Sequence, residues 1–449
     1  MNHILELLYN KLKLFGPRDA IIISEKCYTF NDIVNEIDEW VNIIHLSEIP
    51  TGYVVAIEGD NSISLFSLIF ALAINGNIIV PIKAENISQS NLFKELAQVD
   101  YSINLNNEDK GFIKSPYYSK HKYYNKIKLD KHAGIVLFSS GTTGTPKAIV
   151  LSFNKMIENA NRKENNSRII SFLNYDHVGG INTILHGLCN GGCVVFPMDR
   201  QAKTILQTIE KWQVQILPTT PTFINMLLMS GEHHKYNLSS LKLITYGTES
   251  MPSSTLEKAA ALFPNVRFKQ TYGLSELGIL PTKSKNNDEL WLKIGGKGFD
   301  YKIVDDILWI KSDSAMLGYI NAIEPFDNEG YFNTQDVVEQ DGEYIRILGR
   351  KSDIINIAGE KVYPAEVEGI LNQVPGVLDV VVIAEPNPVT GMGIRALIRY
   401  DNNFDKNILR SVIIRHARNN LDFFKQPMLY NFTQDELHTS RFKKRRSLS

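Results

Sequence analysis

Residues 134–151 read GIVLFSSGTTGTPKAIVL. An apolar run, Gly134–Phe138, leads into a stretch dense in Gly, Ser and Thr, and a second run, Ile149–Leu151, leads out of it. The pattern predicts two buried strands joined by a loop. Free backbone N–H groups and hydroxyls in such a loop suit an anionic phosphate chain. It is not a Walker A loop, because no GK[ST] follows the glycines at the required spacing. Taken alone, such a loop is more often a flexible turn.

Working outward, short apolar runs alternate with stretches of helical period. Val54–Ile57 reads as a strand, Asp60–Ser62 as a helix N-cap, Ile63–Ile74 as a helix, Gly76 as its stop and Ile78–Ile82 as the next strand. The rhythm returns with strands near Ile169–Phe172, Val194–Phe196, Val214–Leu217 and Leu243–Tyr246, and with helices over Ala202–Trp212 and Thr255–Leu262. Repeated βα alternation predicts an α/β fold: a large multi-layer N-terminal body with largely parallel sheets. Tyr101–His132, rich in Asn, Lys and Tyr, reads as an exposed connection. After about Gly349 the order becomes β-α-β-β-α-β, with helices over Pro364–Leu371 and Lys406–Asn420, which predicts a small α+β C-terminal domain. The boundary falls at Lys351/Ser352, giving units of 1–351 and 352–449.

The 449 residues carry 48 Lys+Arg against 49 Asp+Glu, so no global basic field invites nucleic acid. With 43% apolar and 22% charged residues, the composition is that of an ordinary globular protein and excludes a disordered or collagen-like chain. Cys27, Cys189 and Cys193 are odd in number and form no CxxC pair, so neither a disulfide framework nor a zinc site is expected. The N-terminus lacks the apolar core of a secretory signal. The longest apolar run, Ile63–Ile74, is shorter than the roughly 20 residues of a membrane span. A cytoplasmic enzyme is the expectation.

Four further stretches bear chemistry. TYGLSE (271–276) joins an aromatic face, a flexible Gly and a carboxylate; Tyr272 could stack on a purine and Glu276 could hold a hard cation such as Mg²⁺. It is not a nucleophile elbow, since Leu277 stands where GxSxG needs Gly. GYFNTQD (330–336) ends on a carboxylate, and GRKSDIINIAGEKVYPAEVE (349–368) brings Arg350, a turn at Gly359 and a Pro-initiated helix. HTSRFKKRRSLS closes the chain. His233–His234 lies in a polar stretch with no third ligand in sight, and GGKG (295–298) lacks the strand-to-helix setting of a dinucleotide loop and reads as a turn.

In this order and spacing the five segments resemble the signature motifs of the adenylate-forming superfamily, which includes acyl- and aryl-CoA synthetases, adenylation domains of nonribosomal peptide synthetases, and luciferases. Weaker matches at YTFNDIVNEIDEW (28–40), DHVGG (176–180) and YGTESMP (246–252) extend the resemblance over nearly the whole chain. It implies a C-terminal domain that is mobile and carries a catalytic lysine. It implies that Ser140, Gly141, Thr142, Thr143, Gly144 and Lys147 close over the phosphates of ATP. Gly247, Thr248 and Glu249 would line the adenine pocket, with Tyr272 on the base. Thr271 and Glu276 would serve the α-phosphate and Mg²⁺, and Asp336 and Arg350 the ribose. Counting along the family's TxxGK pattern from Thr439 puts Lys443 at the catalytic lysine. His177, Val178, Ile181, Tyr246 and Gly273 would surround the acid. Ser352 would be the hinge, and the rotation about it would bring Asp353–Gly359 beside a pantetheine tunnel.

The resemblance implies an ATP- and Mg²⁺-dependent ligase that forms an acyl-adenylate, releases pyrophosphate and passes the acyl group to CoA. Two other readings stand beside it. One is a free-standing adenylation enzyme that loads the phosphopantetheine arm of an acyl carrier protein in trans. The other is a nucleotide- or acyl-binding relative that has lost catalysis. The pattern departs at Ala148 and at Phe442, both in place of Gly, and at Ser352, where a charged residue is common. Apolar Val178, where amino-acid-activating relatives usually carry Asp, leans against α-amino acids as substrates.

Overall fold

The computed structural model describes residues 3–84, 86–107, 111–139, 145–162, 164–439 and 443–446. Two seven-stranded sheets form the centre of the N-terminal body. In the first, Tyr101–Asn104, Val54–Glu58, Ile78–Ile82 and Gly134–Ser139 run parallel, and the antiparallel strands Lys147–Ser152 and Gly318–Tyr319 extend one edge. In the second, Arg267–Gln270, Leu243–Tyr246, Ile216–Thr219, Arg168–Ile170, Cys193–Val195 and Asp19–Ile23 are all parallel, with Lys26–Thr29 added antiparallel.

The helix Ile63–Ile74 shows why the layers form. Its residues Leu65 to Ala73 are all buried. A helix apolar on every side has to be covered on every side, and this one lies in the largest hydrophobic core with residues of both sheets. Ser62 caps it by accepting from the Leu65 N–H at 3.1 Å, and the chain turns out at Gly76 with φ +78°.

A third, six-stranded sheet spans Thr282–Ser284 to Tyr344–Arg350 and is wholly antiparallel. The βα rhythm did not distinguish it, because consecutive strands here are joined by turns and have no helices between them. A single 3-10 turn, Lys351–Asp353, leads from it into the C-terminal part. There Val377–Asn387, Gly391–Tyr400 and Leu429–Thr433 make one sheet, covered by the helices Pro364–Leu371 and Lys406–Asn420 around a core of their own.

One expectation is corrected. Tyr101–His132 is no exposed connection: its described residues hold the strands Tyr101–Asn104 and Ile113–Lys114 and the helix Lys122–Leu129. Tyr124 is fully buried and donates to the Ala97 carbonyl at 2.6 Å. Eight residues, three of them Lys, are too few for a helical period to show in the sequence. Replacing Tyr124 by Ala should therefore cost about 3–5 kcal/mol of stability, and by Phe only about 1 kcal/mol. Denaturant unfolding measures both, and an unchanged midpoint for Tyr124→Ala would contradict the burial.

Candidate active site

A cavity opens where the first two sheets, the antiparallel sheet and the chain's end meet. Phe138, Ser139 and Lys147 line it from either side of the Gly/Ser/Thr loop; His177, Val178 and Gly179 come from a helix start. Thr248, Gly273, Leu274, Ser275, Glu276 and Ile279 come from the second sheet and the short hairpin after it, Arg350 from the antiparallel sheet, and Lys443 from the C-terminus. Ser140, Gly141, Thr142, Thr143 and Gly144 lie outside the described residues, as does Phe442.

The flank of the phosphate-loop candidate is pinned by Asn321, two residues past the strand Gly318–Tyr319. Asn321 accepts from the Ala148 N–H at 2.9 Å and donates to the Pro146 carbonyl at 2.8 Å. The Lys147 ammonium sits 5.1 Å from the Tyr319 ring centroid, and the Tyr319 hydroxyl donates to Glu276 Oε1 at 2.7 Å. Burial first, then the Glu276 charge, pushes the Tyr319 hydroxyl well above its usual range, so it stays a neutral donor. Gly318, the residue before Tyr319, lets the strand pass close over Tyr123. Its φ is +149°, and a Cβ there would stand 2.2 Å from the Tyr123 hydroxyl oxygen.

Asp336 and Arg350 face each other as a cross-strand pair in the antiparallel sheet. The Asp336 carboxylate is buried, accepts from the Tyr272 hydroxyl at 2.5 Å and lies 3.5 Å from Arg350 Nε. Burial pushes its pKa up, against the opposing pull of Arg350 and Tyr272.

His177 begins the helix Val178–Cys189, its Nδ1 accepting from the Gly179 N–H at 3.1 Å. The helix start is packed so tightly that a Cβ on Gly180 would lie 1.9 Å from the Asn174 carbonyl oxygen. Thr248 lines the cavity at φ +74°, a costly conformation for a β-branched residue and one that clusters at functional sites.

Other expected residues sit elsewhere. Thr271 donates its hydroxyl to the Tyr246 carbonyl at 3.0 Å, and Gly247 packs against Thr271; neither lines the cavity. Tyr272 is buried beside it, so what it offers is a hydroxyl for Asp336. Ile181 and Tyr246 belong to two hydrophobic cores behind the wall. Glu249 is turned away from the cavity: it accepts from the Thr222 N–H at 2.8 Å and lines a separate crevice with Asp379 and Lys444. The reason is local, since Glu249 reaches the start of the helix Pro221–Ser230, whose N–H groups need an acceptor. Ser352 and Asp353 are exposed in the linking turn, where the Ser352 hydroxyl donates to Asp353 Oδ1 at 3.0 Å. Gly359, at φ +98°, makes the tight turn between Ile355–Ile357 and Glu360–Val362.

Tyr319, Asn321, Ser139, Leu274, Ser275 and Ile279 were missed by reading the sequence, although Leu274 and Ser275 lie inside TYGLSE. So were Asn174 and Arg200, which line a smaller recess with His177, Thr248 and Lys443. Among the described residues no group of three or more His, Cys, Asp or Glu could hold a metal ion. None of their helices is long and apolar enough to cross a membrane.

Residues 95–320 match the family model described as AMP-binding enzyme, and residues 366–444 the one described as AMP-binding enzyme C-terminal domain. A 2-succinylbenzoate–CoA ligase of Staphylococcus aureus (strain MRSA252) is 28% identical over 309 residues, 64% of this chain and 61% of the relative. The 4-coumarate–CoA ligase-like 9 of Arabidopsis thaliana is 28% identical over 289 residues, 57% of this chain and 51% of the relative. The matched part thus spans about half to three-fifths of these relatives' length. Among solved structures, the anthranilate CoA ligase AuaEII in complex with anthranoyl-AMP superposes with a TM-score of 0.80 over 97% of this chain and 95% of its own, at 19% identity. ATP-bound MatB from Rhodopseudomonas palustris superposes at 0.78 over 96% of each, also at 19% identity. The shared fold has the same large body and small C-terminal part. This chain therefore belongs to the AMP-binding enzymes, the adenylate-forming superfamily.

Proposed function

We propose that the protein uses ATP to activate a carboxylic acid as an acyl-adenylate, releasing pyrophosphate, and then passes the acyl group to the thiol of CoA. The observation that carries this reading is one cavity shared by Lys147, Glu276 and Arg350 of the body and Lys443 of the C-terminus. Three cations and one carboxylate suit a triphosphate far better than a neutral ligand. The relatives named as CoA ligases support the same reading.

In the first step a carboxylate oxygen bonds to the α-phosphorus while the bond to the leaving pyrophosphate breaks. Two anions must approach, and at 4 Å with an effective dielectric near 20 their repulsion is about 4 kcal/mol. Lys443 and Lys147 offset it and stabilise charge on the transferring phosphoryl and the leaving group. By the family resemblance, Ser140, Thr142 and Thr143 bind the phosphates. Arg350 and Asp336 hold the ribose hydroxyls, with Asp336 kept in place by Tyr272. His177 and Val178 face the acid, and the apolar Val178 offers no partner to an α-ammonium group.

Magnesium fits as a cation that arrives with ATP: it is commonly bound by one or two carboxylates plus substrate phosphates, and Glu276 is a carboxylate of that kind, oriented by Tyr319. Once bound, it would neutralise phosphate charge. The second step needs the C-terminal part to turn about the Lys351–Asp353 link, withdraw Lys443 and bring Asp353–Gly359 to the thiol.

Lys443→Ala should lower acid-dependent pyrophosphate–ATP exchange by about 10²–10³-fold. Thioester formation from pre-made acyl-adenylate should continue, and retained exchange would overturn the role of Lys443. A radiolabelled acyl group should end on CoA; a label found only on a holo-carrier protein would reassign the acceptor. For Asp336 the folded pKa lies above the ordinary carboxylate value, so the folded state holds that proton more tightly and this group costs stability as pH rises through the raised pKa. Asp336→Asn should therefore melt no lower than the parent at neutral pH, yet raise the KM for ATP about tenfold or more by removing a charged acceptor. A variant that melts lower with an unchanged KM would contradict both statements.

A further inference from the structure

Beside the cavity lies a buried ionic cluster to which the chemistry above assigns nothing. Glu368, on the helix Pro364–Leu371, is 1% exposed and accepts from the Val382 N–H at 2.9 Å. Lys444 Nζ donates to Glu368 Oε2 at 3.1 Å and to the Val380 carbonyl at 2.6 Å, and lies 3.5 Å from Asp379 Oδ1. Arg446 completes the set with a two-pronged hydrogen bond to Glu368. All of these groups belong to the C-terminal part. The third acid does not: Glu249 comes from the body and lines one crevice with Lys444 and Asp379.

The geometry of the chain's end makes that meeting matter. His438 and Lys444 face each other across a short antiparallel bridge, closed by Thr439 N–H to Lys443 O at 2.8 Å and Arg445 N–H to Leu437 O at 2.9 Å. In such a pair the backbone groups of Lys444 itself point outward. The outward N–H and the ammonium of Lys444 both act on the Glu249 carboxylate. One residue earlier, Lys443 enters the cavity. Around the cluster the body also holds the C-terminal part through side chains bonded to main-chain carbonyls: Asn225 to Leu378 at 3.1 Å, Ser254 to Gly369 at 2.8 Å and Lys258 to Asn372 at 3.3 Å.

We propose that Glu249 is a positioning residue: it anchors Lys444 from the body and so holds the bridge that presents Lys443, making the cluster a latch for the adenylation arrangement. The inference rests on the function proposed above. Burial disfavours the charge on Lys444, but Glu368 and Asp379 outweigh it and hold the ammonium above the ordinary lysine range. The lysine half of the latch is therefore charged across the physiological range, while burial pushes the Glu249 carboxyl up against the opposing pull of Thr222 and Lys444. Turning the C-terminal part away separates Lys444 from Glu249 and leaves its bonds to Glu368 and Val380 intact.

The test compares Glu249→Gln, Lys444→Met, the double variant and Lys444→Arg, each with its melting temperature. Glu249→Gln and Lys444→Met should each slow acid-dependent pyrophosphate–ATP exchange about tenfold or more, with the KM for ATP within about threefold of the parent. Thioester formation from pre-made acyl-adenylate should stay within about threefold, since that step follows release of the latch. The double variant should lose no more than the worse single one, and Lys444→Arg should keep most of the exchange. Energy transfer between dyes on Leu14→Cys and Phe423→Cys, both exposed sites, in a Cys27→Ser background reads the arrangement without any chemistry. The first three variants should shift its distribution and Lys444→Arg should not. Equal loss of both half-reactions, additive losses, or an unmoved energy-transfer distribution would overturn the proposal. If the parent exchanged pyrophosphate with no acid, the functional reading would fail, and energy transfer would still decide the latch.

Discussion

The fold has to deliver one ammonium, that of Lys443, to a cavity whose walls are set by residues 138 to 350. Lys147 and Arg350 line the same cavity, so three cations share it with the Glu276 carboxylate. The approach is held from the C-terminal side. The bridge between His438 and Lys444, and the acids around Lys444, are what holds it. The rest of the architecture serves to bring that bridge and the cavity together: two layered sheets for the walls, an antiparallel sheet for Asp336 and Arg350, and an independent core for the C-terminal part.

Electrostatics at the site is arranged by neighbours at one remove. Tyr319 orients Glu276 and lies under Lys147; Tyr272 orients Asp336; Asn321 fixes the chain beside Lys147. Each is a neutral hydrogen-bonding group, so charge is placed without adding to the net charge of the cavity. Both carboxylates are thereby given donors and oriented before any ligand enters.

Much of this was legible in the sequence where a single period or a local signal dominates. The helices Ile63–Ile74, Ala202–Trp212, Pro364–Leu371 and Lys406–Asn420 were read with the bounds the structure gives them, because apolar spacing marks them, with Ser62 and Asp405 capping the first and last and Pro364 opening the third. Lys443, Arg350, Glu276, His177, Val178, Thr248, Gly273 and Lys147 were read from motifs and meet in the cavity. What failed was any inference that a motif residue faces its neighbours' cavity. Glu249, two residues beyond Gly247, turns to a helix start, and Thr271 spends its hydroxyl on a carbonyl, because backbone direction decides these and spacing alone does not. Tyr319 and Asn321 were invisible since they act on residues more than forty and more than 170 positions away, across a strand pairing that no local pattern announces. The Lys122–Leu129 helix was missed for its polarity, although Tyr124 anchors it.

The central claim is that the cavity with Lys443 in it joins a carboxylic acid to the α-phosphate of ATP. Trapping with hydroxylamine tests it most directly, because that nucleophile captures an acyl-adenylate whatever the natural acceptor is. With ATP and magnesium supplied, a panel of fatty, aryl, hydroxy and amino acids should yield a hydroxamate with at least one class, accompanied by an equal amount of pyrophosphate and lost when ATP is left out. Absence of hydroxamate and of pyrophosphate with every class would contradict the claim.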